Sequence, residues 1–125
     1  YPLRRQRQMC IRDRHISCWD VFEKHTTGLT LTKEISQFID HRIPIISTGS
    51  VWTGNDAHFL LEEGADAVGV ARVALPFPDW PLSSASTDYA PAKPPFTPEK
   101  LIDAKLSPLF VEYMRRWKGF VTDGR

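Results

Sequence analysis

The chain has 125 residues, of which 42% are hydrophobic and 25% are charged, and its formal net charge is +1 at pH 7. This length suits one domain or a part of a larger one. No run approaches the roughly 18 apolar residues of a membrane helix, and the first residues lack the apolar core of a secretory signal. Cys10 and Cys18 have no zinc-type spacing. They suit a reducing compartment, so we expect a cytoplasmic protein with no membrane partner and no metal site.

The first fourteen residues, YPLRRQRQMCIRDR, form the most basic stretch of the chain, with five arginines and one aspartate. Such a stretch suits a phosphate-binding arm or a disordered terminus. Back-translated in one frame without a gap, it also resembles, from the third codon onward, the transposase adapter used to prepare DNA sequencing libraries. We therefore expect residues 1–14 to be non-native and disordered, with the protein's own sequence starting at His15.

Setting residues 1–14 aside changes the charge balance. Eleven basic and fourteen acidic residues remain, so the formal charge moves from +1 to −3. The arginine-rich stretch is the only feature that favours a nucleic-acid partner. Without it, we expect none.

Three strand patterns and two helix patterns alternate after residue 14. Residues 15–22 (HISCWDVF) indicate a strand end that runs into a loop, and residues 43–49 and 65–71 are short apolar runs typical of buried strands. Residues 28–40 and 53–64 have the spacing of helices. The order β-α-β-α-β with short connections predicts a parallel sheet or barrel.

The two helices are marked by different signals. In the first, apolar residues recur at helical spacing, and these are Leu31, Ile35, Phe38 and Ile39. In the second, Thr53 precedes Asp56 by three residues, which predicts a capping box, and Gly64 is placed to end the helix. Both segments are therefore expected to be amphipathic helices between strands.

The composition changes after Leu75. Residues 76–98 hold seven of the ten prolines and show no period, so we expect loop or extended chain there. Two short helices are predicted to start at Thr97-Pro98 and Ser107-Pro108, each with a capping residue followed by proline. The second is expected to end near Gly119 and to pack an apolar stripe against the preceding fold. The stripe consists of Phe110, Tyr113, Met114 and Trp117.

The ends of the second and third predicted strands carry residues typical of an anion site. Gly49 has no Cβ to keep a ligand from the backbone, and Ser50 adds an N–H and a hydroxyl. Arg72 follows the next strand, where a short helix over residues 73–75 would expose N–H groups. Either feature alone suits an ordinary turn glycine or surface arginine. Neighbouring strand ends in a parallel barrel would combine them into a phosphate site.

The run IPIISTGSVWTGNDAHFLLEEGADAVGVARVALPFPDWP resembles the end of the barrel in the Old Yellow Enzyme family of FMN-dependent NAD(P)H:flavin oxidoreductases. HISCWD is similar to that family's sixth-strand end, and LSPLFVEYMRRWKGFV is similar to the C-terminus of one bacterial branch. The resemblance implies that residues 15–80 form about strands six to eight of an FMN-binding (β/α)8 TIM barrel. Residues 81–125 would then be a proline-rich loop and helical tail packed on it.

The resemblance also implies four cofactor-binding residues. Gly49 and Ser50 match the positions whose backbone N–H groups hold the FMN phosphate, and Ala71 and Arg72 match the Gly-Arg pair at the eighth strand. Ala71 departs from the usual glycine. Its N–H is retained, but its methyl group would crowd the phosphate.

The implied parent enzyme passes hydride from NAD(P)H to FMN and then to an activated alkene, which is its small-molecule substrate. In that family the substrate-binding and catalytic residues come mostly from the first five strands. Here His15, His25, His41 and His58 do not match their positions, so no catalytic residue is expected. We therefore expect a C-terminal fragment that anchors the FMN phosphate, is inactive alone and is poorly stable, because its sheet edges lack partners. Whether the parent is a homo-oligomer stays open.

Two other functions remain open from the residues alone. Another phosphate-binding TIM-barrel enzyme, a sugar-phosphate isomerase or synthase, would share the glycine at the seventh strand end. A non-enzymatic module would use the aromatic C-terminal helix to dock a partner. The PDWP and HISCWD runs favour the flavin family over the sugar-phosphate enzyme.

Overall fold

The computed structural model describes residues 13–39, 43–86 and 88–122. The chain divides into two compact units, of which the first ends at Val70 and the second begins at Ala71. Over these described ranges, no helix is both long and apolar enough to cross a membrane. The expected division after residue 80 separates a barrel from its tail, and it stays a prediction.

The first unit is a three-stranded parallel sheet with two connecting helices. Its strands are β1 (Arg14–Ser17), β2 (Ile45–Thr48) and β3 (Ala67–Gly69), in the order β1-β2-β3. Helix α1 (Leu31–Ile39) joins β1 to β2, and helix α2 (Gly54–Glu62) joins β2 to β3. The predicted β-α-β-α-β order, the parallel sheet and the mixed α/β class are therefore confirmed.

The register of the sheet aligns the carboxyl ends of its strands. Ser17 pairs with Thr48, and Thr48 pairs with Gly69. Parallel strands in this register send their following loops to one edge of the sheet. The segment after Ser17 and the turn after Thr48 therefore start side by side.

The first strand begins one residue earlier than expected. The Arg14 N–H donates to the Pro44 carbonyl at 2.8 Å, and Arg14 pairs with Ile45 in the sheet. The expectation of disorder through residue 14 is therefore wrong at Arg14. Hydrogen bonds between strands use only backbone atoms, so any residue other than proline that precedes His15 can extend the strand. Residues 1–12, where the rest of that expectation falls, lie outside the described residues.

Helix α1 buries a different side from the one that its apolar spacing marks. Thr32 and Ser36 are buried, whereas Phe38 is 88% exposed. The Thr32 hydroxyl lies 2.7 Å from the Ser47 hydroxyl of β2, so the helix meets the sheet through a polar contact. Periodicity therefore predicts the helix correctly but does not identify its buried side.

The capping box predicted for α2 is confirmed. The Thr53 side chain accepts from the Asp56 N–H at 3.1 Å, and Asp56 Oδ2 accepts from the Thr53 N–H at 2.8 Å. Gly64, at φ 109°, donates to the Leu61 carbonyl just past the end of the helix. Both ends of α2 are therefore defined by residues within or next to it.

Replacing Thr53 by alanine should lower the free energy of unfolding by about 1 kcal/mol, the usual cost of removing an N-cap side chain. The Asp56 N–H would lose the oxygen that accepts it. Chemical denaturation followed by circular dichroism measures this change. Asn55→Ala is the control, since Asn55 is exposed on the same first turn. Equal losses in the two variants would contradict a capping role for Thr53.

The second unit consists of short helical pieces. A 3₁₀ turn spans Arg72–Ala74, followed by α3 (Trp80–Ser83), α4 (Pro98–Asp103) and α5 (Pro108–Met114). Thr97 and Ser107 cap α4 and α5 through their side chains, each followed by proline. The predicted starts of both helices are therefore confirmed, although α5 ends earlier than expected.

Helix α3 corrects the expectation that the whole proline-rich stretch is loop or extended chain. Pro81 lies in the first turn of this helix, where the missing N–H of proline breaks no helical bond. The Ser83 hydroxyl donates to Asp79 at 3.3 Å. One turn of helix therefore forms within a proline-rich segment that lacks periodicity.

Phe96 anchors the proline-rich segment to the end of the second unit. Its ring lies 5.9 Å from the ring of Phe77 and 5.5 Å from that of Phe120. Its N–H donates to the Phe120 carbonyl at 2.8 Å, and its carbonyl accepts from the Thr122 N–H at 2.9 Å. These contacts bury Phe96 among aromatic rings.

The apolar stripe predicted on the last helix is only partly buried. Met114 is buried, but the rings of Phe110, Tyr113 and Trp117 are all partly exposed. The three rings lie in a row, one pair tilted at 5.6 Å and the next edge to face at 5.2 Å between centroids. Packing of the whole stripe on a barrel therefore stays a prediction, since the three rings are partly exposed and contact one another.

Candidate functional site

The turn after β2 contains two of the predicted binding residues in unusual backbone conformations. Gly49 has φ 145° and Ser50 has φ 58°. A Cβ built on Gly49 would lie 2.1 Å from the Cys18 carbonyl oxygen. The sequence argument that glycine leaves space for a ligand is therefore incomplete, because the neighbouring loop uses this space.

Three hydrogen bonds join the loop after β1 to this turn. The Cys18 N–H donates to the Thr48 carbonyl at 3.1 Å, and the Val21 N–H donates to the Gly49 carbonyl at 3.3 Å. The Ser50 hydroxyl donates to the Trp19 carbonyl at 2.8 Å. The turn is therefore held in place by a second loop, and the Ser50 hydroxyl proton is already used.

Successive N–H groups of the turn are available to a ligand. Within the described part of the chain, the N–H groups of Gly49, Ser50 and Val51 donate to no acceptor. The next two, on Trp52 and Thr53, both donate to Asp56 Oδ2, at 2.9 and 2.8 Å. Consecutive backbone N–H groups in a turn are a known arrangement for binding an anion. The candidate site is therefore the turn itself, since the Asp56 carboxylate already occupies the start of α2.

The other two predicted binding residues lie in the second unit. Ala71 precedes the 3₁₀ turn with φ −132° and ψ −76°, and no side chain caps that turn. Arg72 is the first residue of the turn and is exposed. The structure therefore brings Gly49 and Ser50 together in the first unit, and Ala71 next to Arg72 in the second.

Cys18 lies next to the turn, but its surroundings disfavour a reactive thiolate. Its Sγ lies 3.6 Å from the Thr48 carbonyl oxygen. Burial raises the pKa of the Cys18 thiol, and the negative charge of Asp20 raises it further. The thiol therefore stays protonated at neutral pH, which argues against a redox or nucleophilic role.

The raised pKa of Cys18 should make stability fall in alkaline solution. The folded chain holds the thiol proton more tightly than the unfolded chain does. This stabilisation is complete below the pKa of an ordinary thiol and is lost as pH rises through the raised folded pKa. Unfolding of a Cys10→Ser chain from pH 7 to 10.5 measures it, with Cys18→Ser in the same background as control. The same alkaline loss in both chains would contradict the prediction.

The described histidines form no further site. His15 and His25 are exposed, and His58 lies 3.6 Å from Glu62 on the exposed side of α2. His41 lies outside the described residues. Among the residues that are described, no three His, Cys, Asp or Glu side chains form a cluster that could hold a metal ion.

Sequence reasoning missed two features of the site. One is the participation of Val51, whose apolar side chain gives no sign that its N–H is available. The other is the contact between the loop at residues 18–21 and the turn. The HISCWDVF run predicts a strand end followed by a loop but not the partner of that loop. The expected parallel register is the signal that could have placed the loop beside Gly49.

Comparison with known proteins gives no assignment. No protein-family model matches the chain. A search of curated proteins also finds no match.

Proposed function

We propose that this chain forms the FMN-phosphate end of an FMN-dependent NAD(P)H:flavin oxidoreductase of the Old Yellow Enzyme type. In this proposal β1, β2 and β3 are the sixth, seventh and eighth strands of a (β/α)8 barrel. Their parallel order and the position of the Gly49–Ser50 turn at a carboxyl end support it. The resemblance of residues 15–80 supplies the family.

The observation that carries the proposal is the run of three N–H groups on Gly49, Ser50 and Val51, which lack acceptors within the described residues. Each hydrogen bond to a charged phosphate oxygen is worth about 1.5–3 kcal/mol. The turn keeps this geometry without a ligand because the Trp19 and Val21 backbones hold it. The residues thus fit a phosphate group, and preorganisation lowers the entropy cost of binding it.

The chain's own residues would bind and orient the cofactor rather than carry out chemistry. Gly49, Ser50 and Val51 would donate N–H groups to the phosphate, and Ala71 and Arg72 stay predictions from the resemblance. Bound FMN would accept hydride from NAD(P)H and deliver it to an activated alkene. We assign no catalytic residue here, so the 125-residue chain alone should neither oxidise NAD(P)H nor reduce an alkene.

The test compares FMN with riboflavin, which differs from it only by lacking the phosphate. Quenching of flavin fluorescence during titration with the full chain measures both affinities. FMN should bind at least about tenfold more tightly, since one hydrogen bond to a charged group accounts for that ratio. Equal affinity for the two flavins, or no binding of FMN, would overturn the proposal.

The same three N–H groups also favour a second candidate, a phosphate-binding barrel enzyme that acts on sugars. The backbone N–H groups of a turn bind a phosphate and do not contact the group esterified to it. Ribose 5-phosphate should therefore compete with FMN in this titration. If ribose 5-phosphate binds the chain more tightly than FMN does, the result would favour the sugar-phosphate enzyme.

A further inference from the structure

Trp19 lies on a loop whose backbone is fixed against the Gly49–Ser50 turn. Its carbonyl accepts from the Ser50 hydroxyl at 2.8 Å. On one side, the Cys18 N–H is bonded to β2, and on the other, Val21 is 2% exposed with its N–H bonded to Gly49. The backbone of Trp19 is therefore as well positioned as the turn itself.

The indole of Trp19 is nevertheless 83% exposed. The same loop buries the neighbouring Val21 and sets Phe22 against Phe59, with 5.0 Å between the ring centroids. The loop thus has an apolar anchor that does not need the indole. A large aromatic side chain on a fixed backbone stays within reach of the turn and offers a flat apolar surface to a ligand.

The charges around the turn indicate that phosphate contacts alone bind weakly. The carboxylates of Asp20 and Asp56 both lie near the turn, and their negative charge disfavours the binding of an anion there. Their carboxylates accept backbone N–H groups, Asp20 from Phe22 at 2.9 Å and Asp56 from Trp52 and Thr53. A ligand that gains an aromatic contact as well as the N–H groups overcomes this repulsion better than inorganic phosphate does.

We propose that the Trp19 indole packs against the ring system of a phosphate monoester whose phosphate binds at Gly49, Ser50 and Val51. Trp19 then selects esters that carry a flat aromatic group over inorganic phosphate and simple sugar phosphates. This inference rests on the proposed phosphate site and adds the residue that recognises the organic part of its ligand.

The experiment measures the affinities of the full chain for FMN and for inorganic phosphate by following backbone amide resonances. Trp19→Ala should weaken FMN binding by about tenfold or more, the usual effect of removing an aromatic stacking partner. Its affinity for inorganic phosphate should stay within about twofold, and Trp19→Phe should retain most FMN affinity. Trp117→Ala is the matched control, a partly exposed tryptophan in the second unit. Circular dichroism verifies that each variant is folded.

The outcomes separate this inference from the proposed function. Unchanged FMN affinity in Trp19→Ala, with the Gly49–Val51 amides still shifting, overturns the ring contact and leaves the phosphate site standing. An equal loss for FMN and inorganic phosphate also overturns it, because Trp19 then acts only by supporting the turn. Absence of amide shifts with either ligand in the wild-type chain overturns the phosphate site and the inference together.

Discussion

Replacing Gly49 by alanine is expected to lower the free energy of unfolding by several kcal/mol. The new Cβ would lie 2.1 Å from the Cys18 carbonyl oxygen and 2.9 Å from its carbonyl carbon. Both are backbone atoms, so the loop after β1 must move and its hydrogen bonds to the turn must break. The positive φ of 145° adds about 1–3 kcal/mol of backbone strain for a residue with a side chain. Urea denaturation followed by circular dichroism measures the loss.

Gly28→Ala is the matched control for this substitution. Gly28 also has a positive φ, 78°, but a Cβ there meets nothing within 4 Å. Gly28→Ala should lower the free energy of unfolding only by the strain of the left-handed conformation, about 1–2 kcal/mol. Equal losses at the two glycines would show that the Cys18 carbonyl does not limit the space at Gly49.

Replacing Leu60 by alanine should be one of the most damaging truncations in the first unit. Leu60 is 0% exposed on the inner side of α2. Truncating a fully buried leucine costs about 2–5 kcal/mol, since the loss of transfer free energy is added to that of the cavity. The midpoint of chemical denaturation should fall accordingly.

The adjacent residue provides the control for Leu60. Leu61 is on the same helix but is 46% exposed, so Leu61→Ala keeps the same change in helix propensity with less lost packing. Its cost should stay below about 1 kcal/mol, near the range of surface substitutions. A larger loss at Leu61 than at Leu60 would mean that the inner side of α2 is misassigned.

Local signals predicted the starts of α2, α4 and α5 well. The capping box at Thr53 and Asp56, and the capping residues Thr97 and Ser107 before prolines, all lie within three residues of the groups they satisfy. Such contacts join residues that are close in sequence, so they do not depend on the rest of the fold. The parallel order of the short strands was also predictable, because it follows from the intervening helices. The expected burial of the third strand is not observed, because Ala67 of this edge strand is exposed.

Contacts between distant residues were not predictable in this way. Helix α1 turns Thr32 to the sheet because Ser47 lies opposite it, fifteen residues later, and Phe38 is left exposed. Gly49 is required by the carbonyl of Cys18, which belongs to a different loop. Apolar spacing and residue type carry no information about either partner.

The candidate site was predictable only in part for the same reason. Gly49 and Ser50 could be named because a glycine directly follows a strand pattern. The N–H of Val51 and the neighbouring Trp19 emerged only from the folded loops. Ala71 depends on the resemblance alone, and Arg72 on the resemblance and on its position after the third strand, so both stay predictions.

The most direct measurement of the central claim, that this turn binds phosphate, is a titration of the full chain with inorganic phosphate followed by backbone amide NMR. Chloride at equal ionic strength is the control. The amides of Gly49, Ser50 and Val51 should shift in a saturable way, whereas those of Trp52 and Thr53 should move less because Asp56 already accepts them. No shift at Gly49–Val51, or shifts confined to basic residues such as Arg115 and Arg116, would contradict the claim.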